Sequence, residues 1–299
     1  MDVRPRHAKG RTGVTPIVRL AVAAMATRFE LVLGGSDLVA LRAAGEEAVV
    51  EIEACEAAWN RFRPDSEISR VNRLACATPV AVSWEFAEIL AAALSGAAAT
   101  DGAFDPTAGS ASGVTWREVV FDVRARSVAF TRPGVRLDFG AIAKGAALDR
   151  AATLMRDAGV GCGLIHGGTS SVVAIGAPSG ADGFGIALPG EASVALRDAS
   201  LSVSRTDGRV DAAGRSHVVD PRNGCPLDGS RAVAVVAPTG TIAEIWSTAI
   251  LVDPGLSTPA FLSIHRTGEA PSSPFVRHVV THAPGSGAEI SSHEFPIAS

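Results

Sequence analysis

The chain has 299 residues and no tyrosine, and only two of its 27 basic residues, Lys9 and Lys144, are lysines. No site in it can use a phenol hydroxyl, and any ammonium contact inside a fold must come from one of two positions. The four cysteines, Cys55, Cys76, Cys162 and Cys225, are scattered with no C-x-x-C pair. They read as small buried hydrophobes of a reducing compartment, and His and Cys nowhere cluster at zinc-ligand spacing. The net charge of −4 and the lack of any Lys- or Arg-rich run exclude an electrostatic footprint for nucleic acid. No apolar run reaches the ~18 residues that a membrane span needs.

What is present is a globular composition, 47% hydrophobic and 19% charged. "TPIVRLAVAAMATRF" resembles a signal peptide in its Ala-rich ending, but Arg19 interrupts the apolar run. We read residues 1–14 as a disordered tail followed by a first strand, and the chain as cytoplasmic, with export left open. Residues 15–299 show neither a linker nor an internal repeat and are read as a single domain. Thr27–Leu33 alternates as a strand, and Asp37 to Phe62 carries helical spacing with Ser36 as N-cap. A short helix follows Ser66, and another runs from Ser83 to Gly102. Strands are expected at Val119–Val123, Ser127–Phe130 and Val135–Asp138, then a helix from Ala143 to Ala158. Six short strands, a helix over "TIAEIWSTAILVD" and a weakly patterned tail complete an α+β chain of mixed or antiparallel sheets with packed helices.

Four polar segments could carry chemistry. In "DGAFDPT" the Pro extends Asp105, and the small residues beside it could present backbone N–H groups to a ligand; equally, Asp105 could bond only its own turn. "LDFGAIAKGAALDR" approaches a phosphate loop but lacks its Gly-Lys-Ser/Thr ending. Its Asp138 could bond a ring N–H or a hydroxyl. Lys144 stands at a helix N-terminus, where backbone N–H groups favour anions, or is a solvated helix-start residue. In "SHVVDPRNG", His217 could act as a general base near neutrality, with Asp220 beside it, or the two could serve only the turn. In "AEIWSTA", Glu244 and Thr248 share one helix face as hard-oxygen groups suited to magnesium, or are ordinary solvated polarity.

Taken in order, "AMATRFEL", "FRPDSEISRVN", "GAFDPTAG", "LDFGAIAKGAALDRA", "HGGTSSVVAIG", "SHVVDPRNGCP" and "AEIWSTAI" resemble the ApbE family of flavin transferases, from about Met25 to Asp253. The resemblance implies an ApbE-like, T-fold-like architecture. It also implies an enzyme that moves the FMN part of FAD onto a threonine hydroxyl of an acceptor flavoprotein carrying a flavinylation motif, with release of AMP. Some members hydrolyse FAD to FMN and AMP instead. By the same resemblance Met25, Phe62, Ala103, Phe104, Asp105, Asp138 and Lys144 would contact FAD. Ala141, through its carbonyl, Glu244 and Thr248 would hold Mg²⁺, and His217 and Asp220 would lie at the catalytic step.

The chain departs from the family pattern in several places. Glu244 stands for Asp, one methylene or about 1.5 Å longer, so the helix must sit back or a water must shift. Arg205 stands for the Gly of Ser-Gly-Asp, Asn223 for a Thr, Phe62 for a Tyr and Ala146 for an aromatic residue. These changes motivate the alternative of a flavin-binding protein that has lost transfer.

Overall fold

The computed structural model describes residues 15–188, 192–206 and 218–268. The tail expected over residues 1–14 and His217 lie outside the described residues. Strands β1 (Ile17–Ala24) and β2 (Thr27–Gly34) alternate buried and exposed side chains and pair antiparallel. Their two-residue connection is Met25-Ala26, with φ of 51° and 55°. Double positive φ is the requirement of a tight hairpin turn, met here without the usual Gly or Asn.

Helix α1 (Leu38–Trp59) buries Leu41, Ala48, Ile52, Cys55 and Trp59 of the stripe that the spacing predicts, together with Ala44, while Leu38, expected in that stripe, is exposed at the first turn. Its N-cap is Asp37 rather than Ser36, because the Asp37 carboxylate accepts from the amides of Val39 and Ala40. It also ends before Phe62, at the cap residue Asn60. Helix α2 (Glu67–Leu74) is capped by Ser66, and α3 (Trp84–Ala99) by Ser83. Glu67 ties the two together by accepting from the Ser83 amide at 2.8 Å and its hydroxyl at 2.6 Å.

A small sheet follows, in the order β3 (Val80–Ala81), β5 (Ser127–Phe130), β4 (Val119–Asp122). Val135–Asp138 joins no ladder, contrary to the strand expected there. Its polar groups are taken by side chains and loops instead. The Asn72 amide group bonds both the N–H and the C=O of Leu137 at 2.7 and 2.9 Å, and the Asp138 N–H donates to the Pro106 carbonyl at 2.8 Å. Satisfied in this way, the segment has no need of a strand partner.

After helix α4 (Ala143–Asp157) come β6 (Gly163–Gly167), β7 (Ser171–Ile175), the hairpin β8 (Phe184–Ala187) and β9 (Ser193–Leu196), β10 (Ser200–Arg205), β11 (Arg231–Ala237), helix α5 (Gly240–Val252) and β12 (Ser263–Gly268). The main sheet runs β1-β2-β6-β7-β10-β11-β12, antiparallel throughout. Strand β12 lies where the sequence shows only a weak pattern; its place is fixed by pairing with β11 at the sheet edge.

Alternation along β7 divides the core. Val173 and Ile175 join α1 and α4 in one apolar cluster, while Ala174 faces the β8–β9 hairpin with Leu196, Leu201 and Ala234. A third cluster gathers α2, α3, α5 and the small sheet around Phe86, Phe104, Phe139 and Ile250. Each of these buried large side chains contributes roughly 1.5–3 kcal/mol, so the helices are held against the sheet chiefly by burial.

Candidate active site

The site is built where the N-termini of α4 and α5 meet. Gly145 and Gly240 make the approach possible: a Cβ on Gly240 would stand 2.8 Å from the Gly145 carbonyl oxygen, and one on Gly145 would run into the Gly240 carbonyl. Asp149, one turn further along α4, clamps the junction. Its carboxylate accepts from the Gly240 amide at 2.6 Å, the Thr241 amide at 2.8 Å and the Thr241 hydroxyl at 2.6 Å. Burial pushes the Asp149 carboxyl above its ordinary value, against the pull of these three donors.

Across this junction Lys144 of α4 meets Glu244 of α5, with Nζ 3.1 Å from Oε1. Glu244 is only 2% exposed. Its Oε1 also accepts a 2.5 Å hydrogen bond from the hydroxyl of Ser171, the first residue of β7. Its Oε2 is buried with no hydrogen-bond partner. A buried carboxylate oxygen left empty is costly, and a cation would satisfy it.

Thr248, one turn beyond Glu244, belongs to a chain of hydroxyls. Ser247 donates to Ser202 at 3.0 Å, and Ser204 lies 2.8 Å from Ser247 and 3.4 Å from the Thr248 hydroxyl. Each hydroxyl has one proton. With that of Ser247 directed to Ser202 or to the Glu244 carbonyl, 3.3 Å away, Ser204 donates to Ser247 and Thr248 donates to Ser204. The lone pairs of Thr248 then remain available to a cation. Glu244 Oε2 and Thr248 Oγ1 are therefore chemically fit for a hard ion, and Ala141 is exposed in the turn before α4. Among the described residues no cluster of three or more His, Cys, Asp or Glu side chains could hold a metal. One carboxylate, one hydroxyl and one carbonyl do not form such a cluster.

The segment before α4 carries Asp138. Its Oδ2 pairs with Arg61 Nε at 2.7 Å, and its Oδ1 accepts the Gly140 amide at 2.9 Å. The Arg61 guanidinium lies over the Phe62 ring, 4.2 Å from its centroid, while Phe62 is 77% exposed. Phe62, Arg61 and the half-buried Asp138 thus form one group, an aromatic face beside a charged pair. Met25 is half-buried in its strained hairpin turn, and its amide donates to Glu56 at 2.7 Å.

Other candidates are placed differently. Ala103 and Phe104 are buried, Phe104 in the core, so only their backbone could meet a ligand. Asp105 accepts from the Thr107 amide and hydroxyl in its own turn and from the Trp116 amide where the loop ends, and burial raises its carboxyl. Asp220 is gripped by Arg222 at 2.9 Å, which also reaches Asp253 past the far end of α5 at 2.9 Å. Arg222 holds both carboxyls below their ordinary range, so Asp220 shapes its loop and is a poor proton acceptor. That loop adjoins the Asp105 loop, since a Cβ on Gly102 would lie 3.7 Å from both Arg222 Cγ and Trp116 Nε1.

Two of the departures, Arg205 and Glu244, have a local structural account. Arg205 is exposed at the end of β10, whereas Ser204 before it faces α5, so the extra bulk does not enter the junction. Glu244 reaches the Ser171 hydroxyl with its Oε1. Four residues with defined roles escaped the sequence reading: Arg61, Asn72, Asp149 and Ser171. Asn72, Asp149 and Ser171 lie inside the quoted segments, Arg61 immediately before one. Only their partners, distant in sequence, reveal what they do.

Comparison with known proteins bears on the fold and the family. The FAD:protein FMN transferase of Escherichia coli strain K12 is 24% identical over 297 aligned positions, covering 84% of this chain and 82% of that protein. The FAD:protein FMN transferase of Klebsiella pneumoniae is 27% identical over 215 positions, covering 62% and 68%. Among solved structures, the ApbE protein of Thermotoga maritima superposes with a TM-score of 0.74 at 23% identity, over 84% of this chain and 94% of that one. The apo flavinyl transferase ApbE of Pseudomonas stutzeri gives 0.75 at 21% identity, over 86% and 92%. At such identity these structures establish the fold. The sequence model of the ApbE family matches residues 25–268, and the chain belongs to that family.

Proposed function

We propose that this protein is a magnesium-dependent FAD:protein FMN transferase. The observation that carries the reading is the junction of α4 and α5, where the Lys144 ammonium and the orphaned Oε2 of Glu244 stand side by side at the N-terminus of α4. A diphosphate needs such a place, because backbone N–H groups and an ammonium offset its charge.

In this reading Lys144 and the α4 N-terminus hold the phosphates. Phe62 offers a stacking face to the isoalloxazine, and Asp138 accepts from a ring N–H or a ribityl hydroxyl. Met25 and the backbone of Ala103, Phe104 and Asp105 line the rest of the FAD site. Glu244, Thr248 and the Ala141 carbonyl would hold Mg²⁺, which when bound offsets the diphosphate charge and polarises the phosphorus under attack. An acceptor threonine oxygen bonds to the FMN-side phosphorus. The bond from that phosphorus to the bridging oxygen breaks, and AMP leaves with the bridging oxygen. His217 takes the threonine proton, and Asp220 shapes the loop that carries His217.

The test is incubation with FAD and Mg²⁺, with and without a peptide bearing a flavinylation-type threonine. AMP together with a fluorescent peptide is the expected result. AMP with free FMN would make the protein a pyrophosphatase that uses water. FAD bound but intact would make it a flavin-binding protein without transfer.

A further inference from the structure

We infer that Ser171 is a positioning residue for Glu244: it decides which carboxylate oxygen faces the cation and compensates for glutamate standing where the family pattern has aspartate. The inference rests on the metal part of the function proposed above.

Three observations converge on it. Oε1 of Glu244 is saturated by two donors, the Ser171 hydroxyl at 2.5 Å and Lys144 Nζ at 3.1 Å. Oε2 of the same group has none. Ser171 is itself 1% exposed, so its hydroxyl cannot turn to solvent.

Proton counting fixes the direction. A carboxylate only accepts, so the single Ser171 proton goes to Glu244. The Ser170 hydroxyl, 3.3 Å from that of Ser171, must then donate to it. The arrangement is a one-way relay of hydroxyl protons ending on Oε1. It pins the carboxylate by one edge and presents the other as a single ligand oxygen. Magnesium demands tight octahedral distances and is served by a one-oxygen carboxylate held at a fixed angle.

The length of the side chain makes the pairing specific. Ser171 starts β7 on the sheet, and Glu244 reaches it from α5. An aspartate at 244 would fall about 1.5 Å short of that contact. Ser171 therefore matters to a glutamate at this position and not to an aspartate.

The test uses the full chain with FAD and Mn²⁺ as a spectroscopic stand-in for Mg²⁺, with free Mn²⁺ read by electron paramagnetic resonance. S171A should raise the Mn²⁺ concentration for half-saturation by roughly 10- to 100-fold, the range typical of groups that orient metal ligands. S171T, which keeps the hydroxyl, should recover most of the affinity. In an E244D background, S171A should have no further effect. Melting curves without metal check that each variant folds; should S171A be too unstable, S171C fills the site with a slightly larger, weaker donor and should show the same loss.

Uptake unchanged in S171A but lost in E244A would overturn the inference while leaving the metal site intact. So would an S171A effect of equal size in the E244D background, which would mark a general packing role. Absence of Mn²⁺ uptake by the wild type would overturn the metal site and the inference with it.

Discussion

Removing the Asp149 carboxylate should cost far more than its place off the site suggests. In D149A, helix α5 loses a negative charge at its N-terminus, worth about 1 kcal/mol in a partly buried setting. The Gly240 amide is buried and would be left without the acceptor it has at 2.6 Å, which adds about 1–3 kcal/mol. The Thr241 amide and hydroxyl are half-buried, and water can replace the carboxylate there. Burial of the carboxylate itself, which raises its pKa, offsets part of the gain. The net loss is about 2 kcal/mol, or roughly 4–8 °C in melting temperature for a domain of this size. D149N keeps the shape and one acceptor and should lose about half as much. Because α5 carries Glu244 and α4 carries Lys144, D149A should also consume FAD more slowly at temperatures well below its melting point. Differential scanning calorimetry and AMP release measure the two effects. A D149A protein melting within 2 °C of the wild type would refute the claim that this carboxylate holds the two helices together.

Gly145 lies inside a helix, where alanine ordinarily gains about 1 kcal/mol. Because its Cβ would meet the Gly240 carbonyl, G145A should instead lower the melting temperature by several degrees, a reversal of sign that calorimetry reads directly. Phe62 is largely exposed, so F62A should melt as the wild type does while weakening FAD binding about tenfold or more, followed by quenching of flavin fluorescence. Asp220 and Asp253 are both held below the ordinary 3.8 by Arg222, so below about pH 4 the unfolded chain binds more protons than the folded one. Wild-type stability should fall as the pH drops through that window, and urea midpoints of R222Q should fall less steeply.

Local pattern carried much of the architecture. The apolar stripes of α1, α4 and α5 and the alternation of β2 are one-segment signals, and each element lies along the span its spacing marks, α1 being shorter at both ends. What depends on pairing between segments was not legible. Val135–Asp138 has the composition of a strand, yet Asn72, 65 residues upstream, takes the ladder positions of Leu137. Strand β12 has little pattern of its own and is specified by the edge that β11 leaves open. The site shows the same division. Lys144 and Glu244 are marked by residue type against an Ala- and Val-rich background, and they do meet. Asp105 is equally conspicuous, but its carboxylate serves its own loop, the ordinary role of an aspartate before proline. Ser171 and Asp149 look unremarkable in sequence because their roles exist only through partners 73 and 91 residues away.

The charge balance of the junction carries one more consequence. Lys144 and Glu244 neutralise each other across a nearly buried contact, and the neighbouring Asp149 carboxylate is already engaged by the Gly240 and Thr241 donors. A diphosphate brings about two negative charges and a magnesium ion two positive ones, so their joint entry leaves that balance intact. Either alone would place uncompensated charge against low-dielectric walls, where desolvation costs several kcal/mol per ion. Cation and dinucleotide should therefore bind with positive coupling, each tightening the other by the same factor, and couplings between sites commonly amount to 5- to 150-fold. Mn²⁺ affinity measured with and without FAD, and FAD affinity measured with and without Mg²⁺, should change together and to a similar extent. K144M would leave the Glu244 charge unpaired until a cation arrives. It should tighten Mn²⁺ binding without FAD and weaken FAD binding, so equal losses of both would show that the ammonium is not shared between the carboxylate and the phosphates.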